Sequence, residues 1–320
     1  MKVLVIGGAG YIGSHVVLEL LKQRLEVCVY DDLSTGYETN IPAGVQFVQG
    51  DVLDPVTLTQ AMVGCEAVIH LAAKKAVGES MLNPQKYATY NIGGMLNVLN
   101  TMGNLHIPYL IFSSSAAVYG MPDKQVLDES TPTNPINFYG FTKLEAERFL
   151  PWADRLANIK SVALRYFNAV GYDAEGRVKG MEKDPQNLLP IVMEVANGTR
   201  ASLSIFGNDY PTADGTCIRD YIHVSDLASA HVLALSYLDR VKKSEILNLG
   251  TGKGHSVLEI VTKSAEITGQ KINYQFAPRR LGDPAVLMAN ADKAHALLKW
   301  KPEHSTLDNI IKTTWFLYKK

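Results

Sequence analysis

Tyr139 and Lys143 stand four residues apart in the stretch Tyr139-Gly140-Phe141-Thr142-Lys143. On a helix this spacing puts a phenol and an ammonium on one face, a turn apart. A phenol titrates near about 10 and is protonated at neutral pH. A cation held close favours the phenolate and lowers that value. The pair then forms a general base able to take a hydroxyl proton while the adjoining carbon is oxidised. Alone, Tyr-x-x-x-Lys is more often a surface tyrosine beside a solvated lysine. Two further features tip the reading toward chemistry. A glycine-rich turn lies upstream, and the run Ser113-Ser114-Ser115 supplies hydroxyls that can hold a reacting oxygen.

The elements that position these groups follow from the hydrophobic pattern. Val3–Ile6 is a continuous apolar run, as expected of a strand buried on both faces. Gly7-Gly8-Ala9-Gly10-Tyr11-Ile12-Gly13 follows, then an amphipathic helix from Ser14 to Lys22. Gly7, Gly10 and Gly13 allow a tight turn and let the backbone approach a pyrophosphate at a helix N-terminus. Glu26–Tyr30 reads as the second strand and ends at Asp31, about twenty residues past the glycines. An acid there accepts from a ribose 2′-hydroxyl and repels a 2′-phosphate, and Asp32 adds to the repulsion. The pattern therefore predicts NAD as cofactor in preference to NADP, with Leu33 and Ser34 among its contacts.

The alternation continues through Val45–Val48, Ala67–His70, Tyr109–Phe112 and Lys160–Tyr166. Helices are expected between them, one opening at Asp54-Pro55 and a long one running from Asn83-Pro84 to about Met102. The expected fold class is α/β: a doubly wound parallel Rossmann sheet, with ligands outside the carboxyl ends of its strands. Asp51-Val52, Leu71-Ala72-Ala73-Lys74-Lys75, Ser113–Ser115 and Phe167-Asn168 all fall at such ends. Asp51 and Val52 are placed to meet an adenine. His70 ends a buried strand and reads as a core histidine with its hydrogen bonds satisfied.

Composition narrows the setting. The chain has 320 residues, 47% apolar and 20% charged, ordinary for a soluble globular enzyme. A net charge of −1 gives no reason to expect nucleic acid or an anionic membrane as partner. No run approaches the ~18 apolar residues of a membrane span. Val3–Ile6 is too short for the apolar part of a signal peptide. Cys28, Cys65 and Cys217 lie far apart without metal-ligand spacing, and so sparse a count suits a reducing cytoplasm. A cytoplasmic chain without a metal is the expectation.

Four blocks together resemble the extended short-chain dehydrogenase/reductases: Gly7-x-x-Gly10-x-x-Gly13, Ser113-Ser114-Ser115-x-x-Val118-Tyr119-Gly120, Tyr139-x-x-x-Lys143 and Arg165-Tyr166-Phe167-Asn168. The second half narrows the likeness. Ser204–Pro211, Asp214-Gly215-Thr216-Cys217-Ile218-Arg219-Asp220-Tyr221-Ile222-His223, Asn248–Gly252 and Ala277-Pro278-Arg279-Arg280 closely resemble the UDP-galactose 4-epimerases. The resemblance runs the whole chain. It implies reversible epimerisation of UDP-glucose and UDP-galactose at C4 through a transient 4-keto sugar, with NAD as cofactor. It implies that Ser115 and Tyr139 share the sugar's 4′-hydroxyl and that Lys143 binds the nicotinamide ribose. Implied cofactor contacts include Tyr11, Ile12, Asp31, Asp51, Val52, Leu71, Ala72 and Ala73. Lys75, Asn91, Ser113 and Phe167 complete that set. Implied contacts to the UDP-sugar are Lys75, Asn168, Asn187, Leu188, Ser204, Phe206, Arg219, Arg280 and Asp283. A homodimer through the helices around 84–102 and 138–155 is implied as well.

After Asn168 the pattern changes. Residues 172–184 read as a polar loop, Asn187–Asn197 as a helix and Leu203–Phe206 as a strand. Ser225–Leu238, Val257–Thr268, Ala291–Leu298 and Leu307–Tyr318 read as helices, and Ile246–Leu249 as a short strand returning to the main sheet. Residues 1–170 are thus the expected NAD-binding domain, with about 221–250 returning to it. About 171–220 and 251–320 form a smaller, sequence-discontinuous cap that binds substrate. Arg219 and Arg280 offer forked donors suited to a diphosphate. Phe206 is open between stacking on uracil and packing in the core.

Related activities separate on single positions. The sugar-nucleotide 4,6-dehydratases carry Asp and Glu directly after the catalytic Ser or Thr, to move protons at C5 and C6. This chain has Ala116 and Ala117 there, and the UDP-xylose synthases' Glu falls on Ala117 too. Leu287 stands where similar epimerases limit the space for an N-acetyl group. Its intermediate bulk leaves a UDP-N-acetylglucosamine 4-epimerase, or a dual-specificity enzyme, as the alternative. Intact Tyr139, Lys143 and Ser115 argue against a non-catalytic nucleotide sensor.

Overall fold

The computed structural model describes residues 1–181, 185–280 and 282–319. Seven parallel strands form its central sheet. From edge to edge they are Glu245–Leu249, Lys160–Tyr166, Tyr109–Ser115, Ala67–His70, Lys2–Ile6, Glu26–Asp31 and Gln46–Gln49. Strand order reverses between Lys2–Ile6 and Ala67–His70, the place where open parallel sheets bind ligands. Register aligns the chemistry on one rim: Ile6 lies beside both Tyr30 and His70, and Ser115 beside Tyr166.

The continuous apolar strands bury both faces. Val3, Val5, Val29, Ile69, Ile111 and Leu164 pack under the helices Tyr11–Lys22 and Val224–Val241. Leu4, Ile6, Cys28, Val68 and Leu110 pack under Pro55–Met62, Gly94–Asn104 and Phe138–Ala157. The short run at Ile246–Leu249 does return, as Glu245–Leu249 paired parallel with Lys160–Tyr166. The long helix expected from Asn83 is interrupted: Pro84–Tyr87 leads into a wider π-turn, Ala88–Gly93, before Gly94–Asn104.

A second sheet departs from the expectation. Gly254–Ser256, Ile218–His223, Val286–Ala289 and Val126–Leu127 lie side by side, and Asn168–Val170 pairs with Ile218–His223. Tyr274–Ala277 joins Leu203–Phe206 in a separate pair. The sequence reading assigns only Leu203–Phe206 among these, because the others are short or carry charge, as Arg219 and Asp220 do. The polar loop after Tyr172 has neither helix nor strand through Met181, and its residues 182–184 lie outside the described ones. Among the described residues no helix is long and apolar enough to cross a membrane.

Candidate active site

Gly7 leaves the first strand at φ +84°, a left-handed conformation that glycine adopts without strain. A Cβ on Gly7 would lie 2.7 Å from the Ala72 nitrogen, and one on Gly13 only 2.0 Å from the Gly7 carbonyl oxygen. Bare backbone therefore floors a crevice at the start of the helix Tyr11–Lys22, where unpaired N–H groups and the helix dipole suit a phosphate. Leu71 N and Ala72 N donate to the Ile6 carbonyl at 2.9 and 3.1 Å and bring the segment 71–75 alongside. Asp31 is buried at the far rim. Its carboxylate accepts from Ala9 N at 3.0 Å and Leu33 N at 2.9 Å. Burial raises its pKa while those two bonds pull it down. Asp32 and Asp51 hold their own turns, accepting from Ser34 N and Leu53 N at 2.9 Å each. The Val52 carbonyl accepts from Asn97 Nδ2 at 3.2 Å.

Two predicted cofactor residues spend their side chains on the protein. The Tyr11 hydroxyl donates to the Gly171 carbonyl at 2.6 Å, and its ring packs 5.0 Å from that of Tyr172. Asn91 is buried and bonds Lys74 N at 2.8 Å, Lys74 O at 3.0 Å and Thr142 Oγ1 at 3.0 Å. It braces the 71–75 segment against the helix Phe138–Ala157. Lys75 follows Lys74 in the chain and is exposed.

The sequence brings Ser115, Tyr139 and Lys143 together as expected. Asn137 caps the helix Phe138–Ala157, accepting from Gly140 N at 2.8 Å, so Tyr139 falls in its first turn and Lys143 in its second. Ser115 closes its strand, and its hydroxyl acts to lower the pKa of the Tyr139 phenol. Lys143 Nζ donates to the Ser113 carbonyl at 2.7 Å and lies 5.9 Å from the centre of the Tyr139 ring.

The electrostatics correct one expectation. Burial raises the Tyr139 pKa above its ordinary value, and it is the Ser115 hydroxyl that draws it back. Burial also lowers Lys143 to about 7, against the opposing charge of Glu147. Desolvation favours the neutral form of each. His70 departs from the reading too. It is buried, but among the described residues Nδ1 has no hydrogen-bond partner, and burial, aided by Lys143, lowers its pKa to about 3.

On the other side, Phe206, Arg219, Arg280 and Asp283 form one group. Arg219 pairs with Asp283 and donates to the Ile218 carbonyl at 2.6 Å. Arg280 lies over the Phe206 ring, 4.0 Å from its centre. Phe206 is half-buried, at a rim and not in the core. Asn168 Nδ2 donates to the Asp220 carbonyl at 2.9 Å, and buried Asp220 in turn holds Thr251 N and Gly252 N at 2.8 and 2.9 Å. Asn187 precedes the helix Leu188–Ala196 without capping it through its side chain, and lines a small cavity with Tyr11 and Gly171. Ser204 is exposed, whereas Phe167 is buried and Leu287 packs against its cluster.

Comparison with known proteins bears on this arrangement. Residues 3–250 match the model of the NAD dependent epimerase/dehydratase family. The chain belongs to that family. It is 44% identical to the UDP-glucose 4-epimerase of Lactobacillus helveticus, over 100% of this chain and 97% of that one. It is similar to the solved UDP-glucose 4-epimerase of Brucella ovis in complex with NAD, with TM-score 0.96, 42% identity and coverage of 99% and 98% of the two chains. The Bifidobacterium longum UDP-glucose 4-epimerase in complex with NAD+ and UDP is also similar, with TM-score 0.93, 37% identity and coverage of 99% and 98%.

The site of this NAD dependent epimerase/dehydratase family member fits the dinucleotide the family name implies: a backbone floor, an acid at one end and a buried lysine at the other. Behind it lie residues to which the sequence reading gives no role of their own. Glu147 stands one turn past Lys143 and pairs with Arg165, which also bonds Tyr119. Tyr119 donates to Asn248 Oδ1 at 2.7 Å. The fourfold spacing Tyr139, Lys143, Glu147 was the available signal, since it places all three on one helix face.

Proposed function

We propose that this chain is a UDP-glucose 4-epimerase, inverting C4 of UDP-glucose and UDP-galactose reversibly with NAD as its cofactor. One observation carries the reading: Lys143 Nζ lies 5.9 Å from the centre of the Tyr139 ring, with the Ser115 hydroxyl alongside the phenol and alanines at 116 and 117. Gly7, Gly10, Gly13 and Asp31 would hold the pyrophosphate and adenosine ribose, and Lys143 the nicotinamide ribose. Bound NAD supplies the two-electron chemistry that makes C4 a ketone and then restores the alcohol. Tyr139 Oη takes the 4′-hydroxyl proton and returns it, while Ser115 Oγ keeps the reacting oxygen in reach. Lys143 is buried and Tyr139 half-buried, which limits the access of bulk water to a reactive ketone.

The UDP half anchors the substrate throughout. Arg219 and Arg280 bind its diphosphate, and the face of Phe206 opposite Arg280 receives the uracil. Asn168, Asn187, Leu188, Ser204, Lys75 and Asp283 complete the pocket. The cap comprises about 171–220 and 251–320, against an NAD-binding domain of 1–170 completed by 221–250. The chain works in the cytoplasm as a homodimer, for which exposed Leu96, Trp152 and Leu156 supply apolar surface on the helices around 84–102 and 138–155. Ala116 and Ala117 provide no proton donor for loss of a C6 hydroxyl, so dehydration is not favoured. The N-acetylated alternative is not favoured either, since half-buried Leu287 packs a branched side chain against the Phe167 cluster.

The test is interconversion of UDP-galactose and UDP-glucose by the purified chain without added NAD. Tyr139→Phe should lower turnover by orders of magnitude while UDP still binds. Near-normal turnover in that variant, or NADH accumulating in step with substrate, overturns the reading.

A further inference from the structure

We propose that Lys74 is a clasp that retains the dinucleotide, barring the crevice from one wall to the other. The inference rests on reading the crevice as the NAD site. Glu26–Asp31 and Ala67–His70 flank Lys2–Ile6 in the sheet, so the turns that follow them are opposite walls of the crevice floored by Gly7–Gly13. Lys74 belongs to one wall and reaches the other: its Nζ lies 3.3 Å from Ser34 Oγ and 3.9 Å from Asp32 Oδ2. The same ammonium sits 4.6 Å from the centre of the Tyr90 ring.

The root of this side chain is fixed as firmly as its tip. Asn91 bonds both the N–H and the carbonyl of Lys74, at 2.8 and 3.0 Å, and is itself bonded to Thr142. A lysine pinned at its backbone and held at its ammonium across a groove is a bar, unlike a loosely solvated surface chain. A dinucleotide stretched from Asp31 toward Lys143 must cross the glycine floor beneath the line of this bar. Its departure requires the contacts to Ser34 and Asp32 to open. The Lys74 side chain remains 22% exposed, so salt reaches and weakens the contact.

The experiment loads the holoenzyme with NADH and follows loss of the bound fluorescence after mixing with excess NAD. Lys74→Met keeps the stem and removes the charge. It should release NADH about fivefold faster, the effect of losing an exposed pair worth up to about 1 kcal/mol. Lys74→Arg should stay near the parent. Added salt should speed release from the parent and leave Lys74→Met unchanged. Asp32→Asn should also speed release, and the double variant should be no faster than the faster single one. Equal release from parent and Lys74→Met at low salt, or additive effects in the double variant, overturns the clasp. A shifted melting temperature with unchanged release assigns Lys74 to stability alone and overturns it equally. A parent chain that binds no NADH overturns the underlying site assignment, and the clasp with it.

Discussion

Glu147 and Arg165 meet through two parallel bonds, Nε to Oε1 at 2.9 Å and Nη2 to Oε2 at 2.6 Å, with both side chains almost wholly buried. The guanidinium also donates to the Tyr119 hydroxyl at 2.9 Å, and the carboxylate accepts from Ser114 Oγ. Glu147 is the charge that opposes the loss of the Lys143 proton. Glu147→Ala leaves a buried guanidinium unpaired, at a cost of about 3–5 kcal/mol. A urea midpoint measured against the parent checks this, and an unchanged midpoint contradicts it. The same variant removes the opposing charge, so Lys143 should titrate lower still.

Ser115→Ala removes the hydroxyl that draws the Tyr139 phenol down. The phenol's pKa then rises, so a smaller fraction is ionised at neutral pH. The limb on which kcat/KM climbs with pH should move to higher pH, and neutral turnover should fall about 10²–10³-fold, as on loss of a positioned donor. Superimposable pH profiles for parent and variant would remove Ser115 from this role.

Gly13→Ala places a methyl 2.0 Å from the Gly7 carbonyl oxygen and 2.8 Å from the Gly8 Cα. Both neighbours are backbone and cannot rotate aside. The turn must open, costing about 1–3 kcal/mol or more and disturbing the phosphate floor. Thermal melting and NADH titration should both weaken; wild-type NADH affinity in the variant contradicts the assignment of this turn.

Acid should destabilise the fold through its histidines. Burial lowers His15 and His231 to about 4, and His70 and His223 to about 3. Unfolded histidine titrates near about 6.5. Between that value and the folded ones the unfolded chain binds more protons, so stability falls as pH falls through the window. At pH 5 each histidine accounts for up to about 2 kcal/mol. Lys143, at about 7 folded and about 10.4 unfolded, has the same sign over its own range: stability grows as pH rises between those values. Denaturant midpoints at pH 5, 7 and 9 test both, and a midpoint at pH 5 equal to that at pH 7 contradicts the histidine effect.

The nucleotide half of the fold was legible because its signals are local. Val3–Ile6 and Ala67–His70 are apolar throughout, and the glycines and Asp31 sit where a strand must stop. The second sheet was not, because its register is set by partners distant in sequence, such as Met288 beside Val126. A two-residue strand like Val126–Leu127 has no period to detect. Tyr139, Lys143 and Ser115 were legible from spacing and type. Glu147 and Arg165 were not, since a charge on a helix or strand ordinarily marks a wet face, and only the packing shows these two enclosed. Lys74 escaped for the opposite reason: next to Lys75 it looks like one more solvated cation until Asn91 is seen to grip its backbone.

The strand Glu245–Leu249 closes the main sheet, yet the ribosome makes it long after the strand it covers. Until it emerges, Lys160–Tyr166 of a nascent chain presents an unsatisfied row of amides and carbonyls, an invitation to intermolecular pairing. Cutting the gene after residue 170 would therefore yield a sticky fragment and not an independent nucleotide-binding module.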